Sequence, residues 1–235
     1  MTVATVVPAL RLTGLSKSFG GARALDGVDF EVLPGEVHGL LGENGSGKST
    51  LIKILNGFHQ PDSGELEVGG VRVKLPLASG QYRSLGLSFV HQDLGLIPSL
   101  TVVDNLRITD LDRVGKPWHV SWAGERRRAR DVFERYRLEI RPEAVVSTLS
   151  PMERAMLAIV RAVESMRSSL AAQHVGQGVL VLDEPTVFLP KTGTDQLFQL
   201  VRDIAAAGSS IVLVSHDLDE VREHTDRITV LRDGR

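Results

Sequence analysis

Short apolar runs rich in β-branched residues recur along the chain and are set apart by turn residues. They are Arg11–Leu15, Gly27–Val32, Glu36–Leu41, Gly86–His91, Val179–Asp183, Ile211–Ser215 and Ile228–Leu231. Such runs predict strands, and Pro34–Gly35 marks a turn after the second. ELEVGG from Glu65 reads as a further strand entering a Gly-Gly turn, with Val71–Leu75 as its return. Helical spacing occupies Ser49–Asn56 and Thr192–Ala207. From about Asp93 to Gly178 the chain is mostly helical in pattern and more polar. Apolar strands separated by helices imply an α/β fold with a largely parallel core sheet covered on both faces. The expected organisation is one domain over residues 1–235. Its core, with a small antiparallel β section, is drawn from 1–92 and 179–235, and 93–178 forms an inserted α-helical subdomain.

One helix start is unusually explicit. Residues 149–153 read Leu-Ser-Pro-Met-Glu, followed by RAMLAIVRAV. Ser150 suits the N-cap, Pro151 the first helical position, and Glu153 reaches back to the N–H of the cap. Met156, Leu157, Ile159, Val160 and Val163 supply the buried stripe.

Composition narrows the function. A chain of 235 residues buries on the order of 70% of its unfolded surface and needs no covalent staples. It has no cysteine, which fits a reducing compartment. Twenty-seven basic and 29 acidic residues leave a net charge of −2, with no general attraction to nucleic acid. ERRRAR at 125–130 reads as a solvated helix face. The apolar N-terminus lacks the basic region and cleavage site of a signal peptide. No apolar run approaches the roughly 18 residues that cross a bilayer. A soluble protein is expected, one that serves a membrane only by docking.

The chemistry is concentrated in four places. GENGSGKST, Gly42 to Thr50, matches G-x-x-x-x-G-K-[ST] between a strand and a helix. Gly42, Gly45 and Gly47 let the backbone curl so that successive N–H groups face phosphate oxygens, with Glu43, Asn44 and Ser46 completing the loop. The following helix adds its positive end. Lys48 carries full charge to the β and γ phosphates, and the Ser49 hydroxyl is a Mg²⁺ ligand. VLVLDEPT ends a buried strand in two acids. Asp183 there holds Mg²⁺ directly or through water, and Glu184 polarises the attacking water. His216, after the strand Ile211–Ser215, emerges at the same sheet edge, where it hydrogen-bonds a γ-phosphate and orients Glu184. Its competing reading is a helix-start residue beside the cap Asp217. Gln92, after Gly86–His91, offers an amide oxygen to Mg²⁺. His38 reads as a satisfied core or edge histidine.

In order and spacing, the phosphate loop, Gln92, Asp183–Glu184 and His216 resemble ATP-binding cassette (ABC) ATPases over essentially the whole chain. Residues 35–55 and 89–106 are similar to the ATPase subunits of bacterial monosaccharide importers. The resemblance implies a P-loop nucleotide-binding domain of ABC type with a RecA-like core. ATP and Mg²⁺ are its ligands, with Gly42 to Thr50 on the nucleotide. Phe19 either stacks on adenine or is an ordinary edge-strand aromatic. The implied partners are a second ABC nucleotide-binding domain, a transmembrane permease and, indirectly, a sugar-binding protein, with no nucleic acid. The implied place is cytoplasmic, on the inner face of the membrane. The alternative is a soluble ABC ATPase without transport, or a nucleotide-gated regulator.

At LSPMERAM the family usually carries LSGGQ, whose helix end grips the γ-phosphate bound by the partner domain. Here Pro151 has no N–H and Glu153 brings a negative charge. Importer ATPases of this kind carry two cassettes, the first with the catalytic residues and the second with the intact signature. This chain resembles the first and ends at VLRDGR, where a second would begin, so a truncated chain or a separate partner is expected. TVFLPKTG at 186–193 keeps the family's leucine at Leu189 but lacks the acid that follows it. The stretch from Arg161 to Val179 is longer than usual.

Overall fold

A computed structural model of the chain describes residues 6–108, 121–173, 178–187, 189 and 191–235. A five-stranded sheet forms the centre. In chain order its strands are β3 (Val37–Leu41), β6 (Leu87–Val90), β7 (Val179–Asp183), β8 (Ser210–Ser215) and β9 (Arg227–Val230). Its spatial order is β6-β7-β8-β3-β9, and every pairing is parallel. A second, antiparallel sheet has the order β2-β1-β4-β5. It consists of β1 (Leu10–Phe19), β2 (Ala22–Val32), β4 (Ser63–Val68) and β5 (Val71–Val73). The helices are α1 (Lys48–Leu55), α2 (Gln81–Ser84), α3 (Val102–Ile108), α4 (Trp122–Arg135), α5 (Pro151–Gln173), α6 (Lys191–Ala206) and α7 (Leu218–His224).

The continuous apolar strands are explained by two cores, one on each side of the parallel sheet. Successive side chains of a strand point to opposite faces. Leu180, Leu182, Ile211 and Leu213 pack with α5 and α6, while Val179, Val181, Val212 and Val214 pack with α1 and the antiparallel sheet. At about 25 cal/mol per Å², fully burying such a side chain contributes about 1.5–3 kcal/mol. The α/β class with a parallel core and a small antiparallel section is therefore as expected.

The differences are local. β1 and β2 extend past their apolar segments as a two-stranded ribbon that turns at Gly20–Gly21 (φ 54° and 88°). The short helix α2 has no apolar stripe and was not expected. The long stretch after Arg161 is helix: α5 continues unbroken to Gln173, and residues 174–177 lie outside the described residues. Its far half packs on the parallel sheet. Met166 and Leu170 are buried there, Ser88 Oγ donates to Ala162 O at 3.1 Å, and a Cβ on Gly178 would lie 2.4 Å from Met166 Sδ.

ERRRAR lies on α4, which buries Ala129, Val132 and Phe133. Arg126 and Arg130 pair with Glu143 at the surface, at 3.7 and 3.0 Å, so the solvated face is as expected. His38 is buried and satisfied at both ring nitrogens, by Glu36 and by Thr229 at 2.8 Å each. Burial holds its imidazole below the ordinary value. No helix among the described residues is long and apolar enough to cross a membrane.

Candidate functional site

The parallel register brings four chain segments to one edge. β6, β7, β8 and β3 are neighbours in that order, and each ends at the same side of the sheet. Gln92 therefore leaves beside Asp183–Glu184, His216 beside Glu184, and the glycine loop beside His216. Ligands of open parallel sheets bind at this carboxyl edge.

The loop is held in a tight curl. Gly45 and Gly47 have φ of 85° and 109°, in the region that favours glycine. A Cβ on Gly47 would lie 2.5 Å from Ala24 O, so backbone passes where a side chain would stand. Lys48 is buried and folds back over the loop, donating to the carbonyls of Gly42 and, at 3.0 Å, Glu43. An ammonium has three donors, so one remains for an acceptor outside the loop. Glu43, Asn44 and Gly45 form an exposed tip, while Ser46 Oγ is buried without a hydrogen-bond partner among the described residues. The first turn of α1 contains no acid, so the positive end of the helix is not neutralised locally. Ser49 lies exposed in that turn and Thr50 is half-buried. The tip opens on a cleft of about 500 Å³ that is lined also by His216, Arg232 and Asp233.

Glu184 follows β7 directly and has φ of 49°. A non-glycine residue costs roughly 1–2 kcal/mol there. The Glu184 N–H donates to Val214 O at 2.9 Å, which holds the turn against β8. Its carboxylate Oε1 lies 3.0 Å from His216 Nδ1. Asp217 caps α7, accepting from the N–H groups of Asp219 and Glu220 at 2.9 and 3.2 Å. The cap fixes α7, and His216, just before it, stands against Glu184. Thr186 donates to Glu220, tying the turn after the acids to the same helix.

Sequence reasoning missed two neighbours. His91 Nδ1 lies 4.0 Å from Asp183 Oδ2, and that carboxylate holds the imidazole above its ordinary value. Its adjacency to Gln92 in VHQD was the available signal. Arg161, on α5, donates to Gly95 O at 2.7 Å and Leu94 O at 2.8 Å, clamping the loop after Gln92. Gln92 itself is exposed. Phe19 stands at the end of β1 with 43% of its surface exposed, edge-on to His59 at 5.0 Å and beneath Lys17 Nζ at 5.2 Å. β1 lies between β2 and β4, so Phe19 is not on an edge strand; it sits past Ser16, where the pairing with β4 ends, on the β1–β2 ribbon.

The donor set suits Mg²⁺. Ser49, Gln92 and Asp183 offer hard oxygen atoms only. Mg²⁺ keeps several waters and takes one or two protein ligands beside phosphate, so a dense carboxylate cage is not required.

The helix start at 149–153 is a closed capping box. Ser150 N–H donates to Glu153 Oε2 at 2.8 Å, and Glu153 N–H donates to Ser150 Oγ at 3.2 Å. Pro151 opens α5. The N–H groups of Ser150 and Glu153 are thereby taken up within the turn, and Pro151 has none to offer. Ser150→Ala is expected to cost about 1 kcal/mol of stability, measured by urea denaturation; an unchanged midpoint would show that the box contributes nothing. Of the loop after the acids, Phe188 and Pro190 lie outside the described residues. Leu189 is half-buried against the helical core, and its N–H donates to Thr186 O at 2.8 Å.

Comparison with known proteins places this geometry. The chain is 44% identical over 229 residues to a ribose import ATP-binding protein of Rubrobacter xylanophilus, covering 97% of this chain and 43% of that one. It is 40% identical to an arabinose import ATP-binding protein of Paraburkholderia xenovorans, covering 96% and 41%. The chain thus spans less than half the length of these relatives. Among solved structures, an ATP-binding cassette of an ABC transporter in its ADP conformation superposes with a TM-score of 0.79 at 26% identity, covering 97% of this chain and 88% of that chain. The cbiO1 subunit of the cbiONQ ABC transporter complex from Clostridium perfringens gives 0.79 at 25% identity, covering 97% and 86%. The family model described as ABC transporter matches residues 25–187, a span running from β2 through the glycine loop to the turn after Glu184, and the chain belongs to the ABC transporter family.

Proposed function

We propose that the chain binds Mg-ATP on Gly42–Thr50 and hydrolyses it to energise a membrane permease that imports a monosaccharide. The observation that carries this reading is the meeting of the phosphate loop with the Glu184–His216 pair on one sheet edge, at 3.0 Å within the pair. The sugar-import names of the relatives support the cargo class.

Each residue then has a task. The backbone N–H groups of the loop and the Lys48 ammonium hold the β and γ phosphates. Ser49, Gln92 and Asp183 would hold Mg²⁺, which neutralises charge on the β and γ oxygens when bound. Glu184 accepts a proton from the attacking water as the water oxygen bonds to the γ-phosphorus and the bond to the β–γ bridging oxygen breaks. His216 holds the Glu184 carboxylate in place and reaches the γ-phosphate. Phe19, which is partly exposed, stacks on adenine.

Because the capping box occupies its own donors, LSPME is poorly suited to grip a nucleotide bound by a partner, while the γ-phosphate on this chain's loop is met by the signature helix of a second cassette. The chain therefore works as one half of a pair, docked on the inner face of the membrane by the permease, which a sugar-binding protein supplies.

The test uses the purified chain. It is expected to bind Mg-ATP stoichiometrically by calorimetry, to remain monomeric by light scattering, and to turn over slowly until a second cassette and permease are added. Failure to bind Mg-ATP would sink the proposal, and fast cooperative turnover by the chain alone would sink the division of labour between cassettes.

A further inference from the structure

Two segments far apart in sequence press against the backbone of the phosphate loop. The first is Ala24–Asp26, in β2. The second is the turn that follows β9, residues 231–235. Leu231 N–H donates to Leu41 O at 2.7 Å, and Leu231 O would lie 2.4 Å from a Cβ on Gly42. Three residues on, Gly234 N–H donates to Ser46 O at 3.1 Å, in the middle of the loop. The turn is closed on itself, since Arg232 and Arg235 exchange backbone bonds at 2.8 and 2.9 Å.

Asp26 ties the two segments together. Its N–H donates to Gly234 O at 2.8 Å. Its Oδ2 accepts from Arg235 Nε and Nη2 at 2.9 and 2.7 Å, and its Oδ1 accepts from Arg23 Nη1 at 2.7 Å. The bond from Arg235 keeps the carboxyl below its ordinary range and ionised. Gly234 has φ of 78°, and a Cβ there would lie 2.9 Å from Ala24 O. Backbone therefore passes between Ala24 and Ser46 with no room for a side chain. Exposed ion pairs alone contribute little. Here the pair closes a backbone contact that only glycine permits.

The consequence is directional. In a trans peptide the C=O of one residue and the N–H of the next point opposite ways. Holding the Ser46 carbonyl outward on Gly234 turns the Gly47 N–H the other way, toward the concave side of the loop. We propose that the turn Arg232–Arg235, latched by Asp26, is a brace that sets the phosphate-binding geometry of the loop, with Asp26 as a positioning residue. The inference rests on the nucleotide reading of the loop. It adds residues outside the motif whose effect is on phosphate affinity, while Glu184 and His216 stand on other strands.

The test is run on the complete chain, with Mg-ATP as the probe. Asp26→Ala is expected to weaken Mg-ATP binding about tenfold, and Gly234→Ala by up to about a hundredfold, the scale of a misplacement near 1 Å. Amides of Gly45–Ser49 should exchange faster with deuterium in both variants, with β7 and β8 exchanging as in the parent. Asp26→Asn, which keeps an acceptor for Arg235, should recover part of the affinity. If Gly234→Ala does not fold, Asp26→Ala carries the test. Parent-like affinity in Asp26→Ala, beside a Lys48→Ala chain that has lost ATP, would overturn the brace. So would lost affinity with unchanged exchange at Gly45–Ser49. A Lys48→Ala chain that still binds Mg-ATP like the parent would instead refute the nucleotide reading.

Discussion

Lys48→Ala is expected to weaken Mg-ATP binding by roughly a hundredfold or more, whereas Glu184→Gln should leave affinity within about twofold and lower turnover by about 10²–10⁴. The two residues act on different atoms. Lys48 is buried against its own loop, with two donors on the Gly42 and Glu43 carbonyls. Removing it takes away a charge-assisted phosphate contact of about 1.5–3 kcal/mol and also the tie that keeps the loop curled. Glu184 sits on the turn after β7, where its bonds go to His216 and, through its N–H, to Val214 O. Glutamine preserves that shape and the contact with His216 but is too weak a base to accept a proton from water. Binding should be measured by calorimetry and turnover by phosphate release in the assembled transporter. Equal loss of ATP affinity in both variants would remove the distinction between holding and hydrolysing.

The positive φ of Glu184 bears on the same result. A glutamate in the left-handed region persists only where its surroundings hold it. Here the bond to Val214 O and the tie from Thr186 to Glu220 supply that restraint. In the proposed role of general base, the carboxylate would then be aimed before any substrate arrives.

What could be read from the residues was local or strongly patterned. β7 and β8 were legible because both their faces are covered, so an unbroken apolar run is the only composition that fits. The capping box was legible because all its members lie within four residues. The glycine loop was legible because its spacing is set by a backbone curl. Parts of the antiparallel sheet were less so. β1 carries Gly14 in the left-handed region, and its register against β2 shifts between Leu12 and Leu15, so alternation breaks down along it. The unseen parts of the site are contacts between distant segments. The clamp of Arg161 on Leu94 and Gly95, the approach of His91 to Asp183, and the tie from Asp26 to Gly234 leave no periodic trace. Each joins elements far apart in the chain: α5 and the loop after β6, the ends of the paired strands β6 and β7, and β2 with the turn after β9. Parallel sheets hide such contacts more than hairpins do, because each neighbour is reached through a crossover.

Gly42→Ala is expected to be more damaging than Gly45→Ala, although Gly45 has the more restrictive backbone. At Gly45, φ is 85° and a Cβ would meet no atom within 4 Å, so alanine there strains only its own backbone, by about 1–2 kcal/mol. At Gly42 the φ is ordinary and space is the limit. A Cβ would lie 2.4 Å from Leu231 O and 2.5 Å from Ser46 Oγ. One neighbour is main chain leaving the core sheet, and the other is part of the loop itself. Either the segment after β9 must move, breaking the Leu231 N–H bond to Leu41 O, or Ser46 must swing and open the curl. Overpacking of this kind costs about 1–3 kcal/mol in stability, and at this position it also displaces the groups aimed at phosphate. Both variants should be unfolded in urea and titrated with Mg-ATP. Gly42→Ala should lose affinity by more than about tenfold, on the scale of 1.4 kcal/mol per decade, with Gly45→Ala closer to the parent. The reverse order would mean that left-handed backbone freedom at the loop tip, and not the close passage of residue 231, governs phosphate binding.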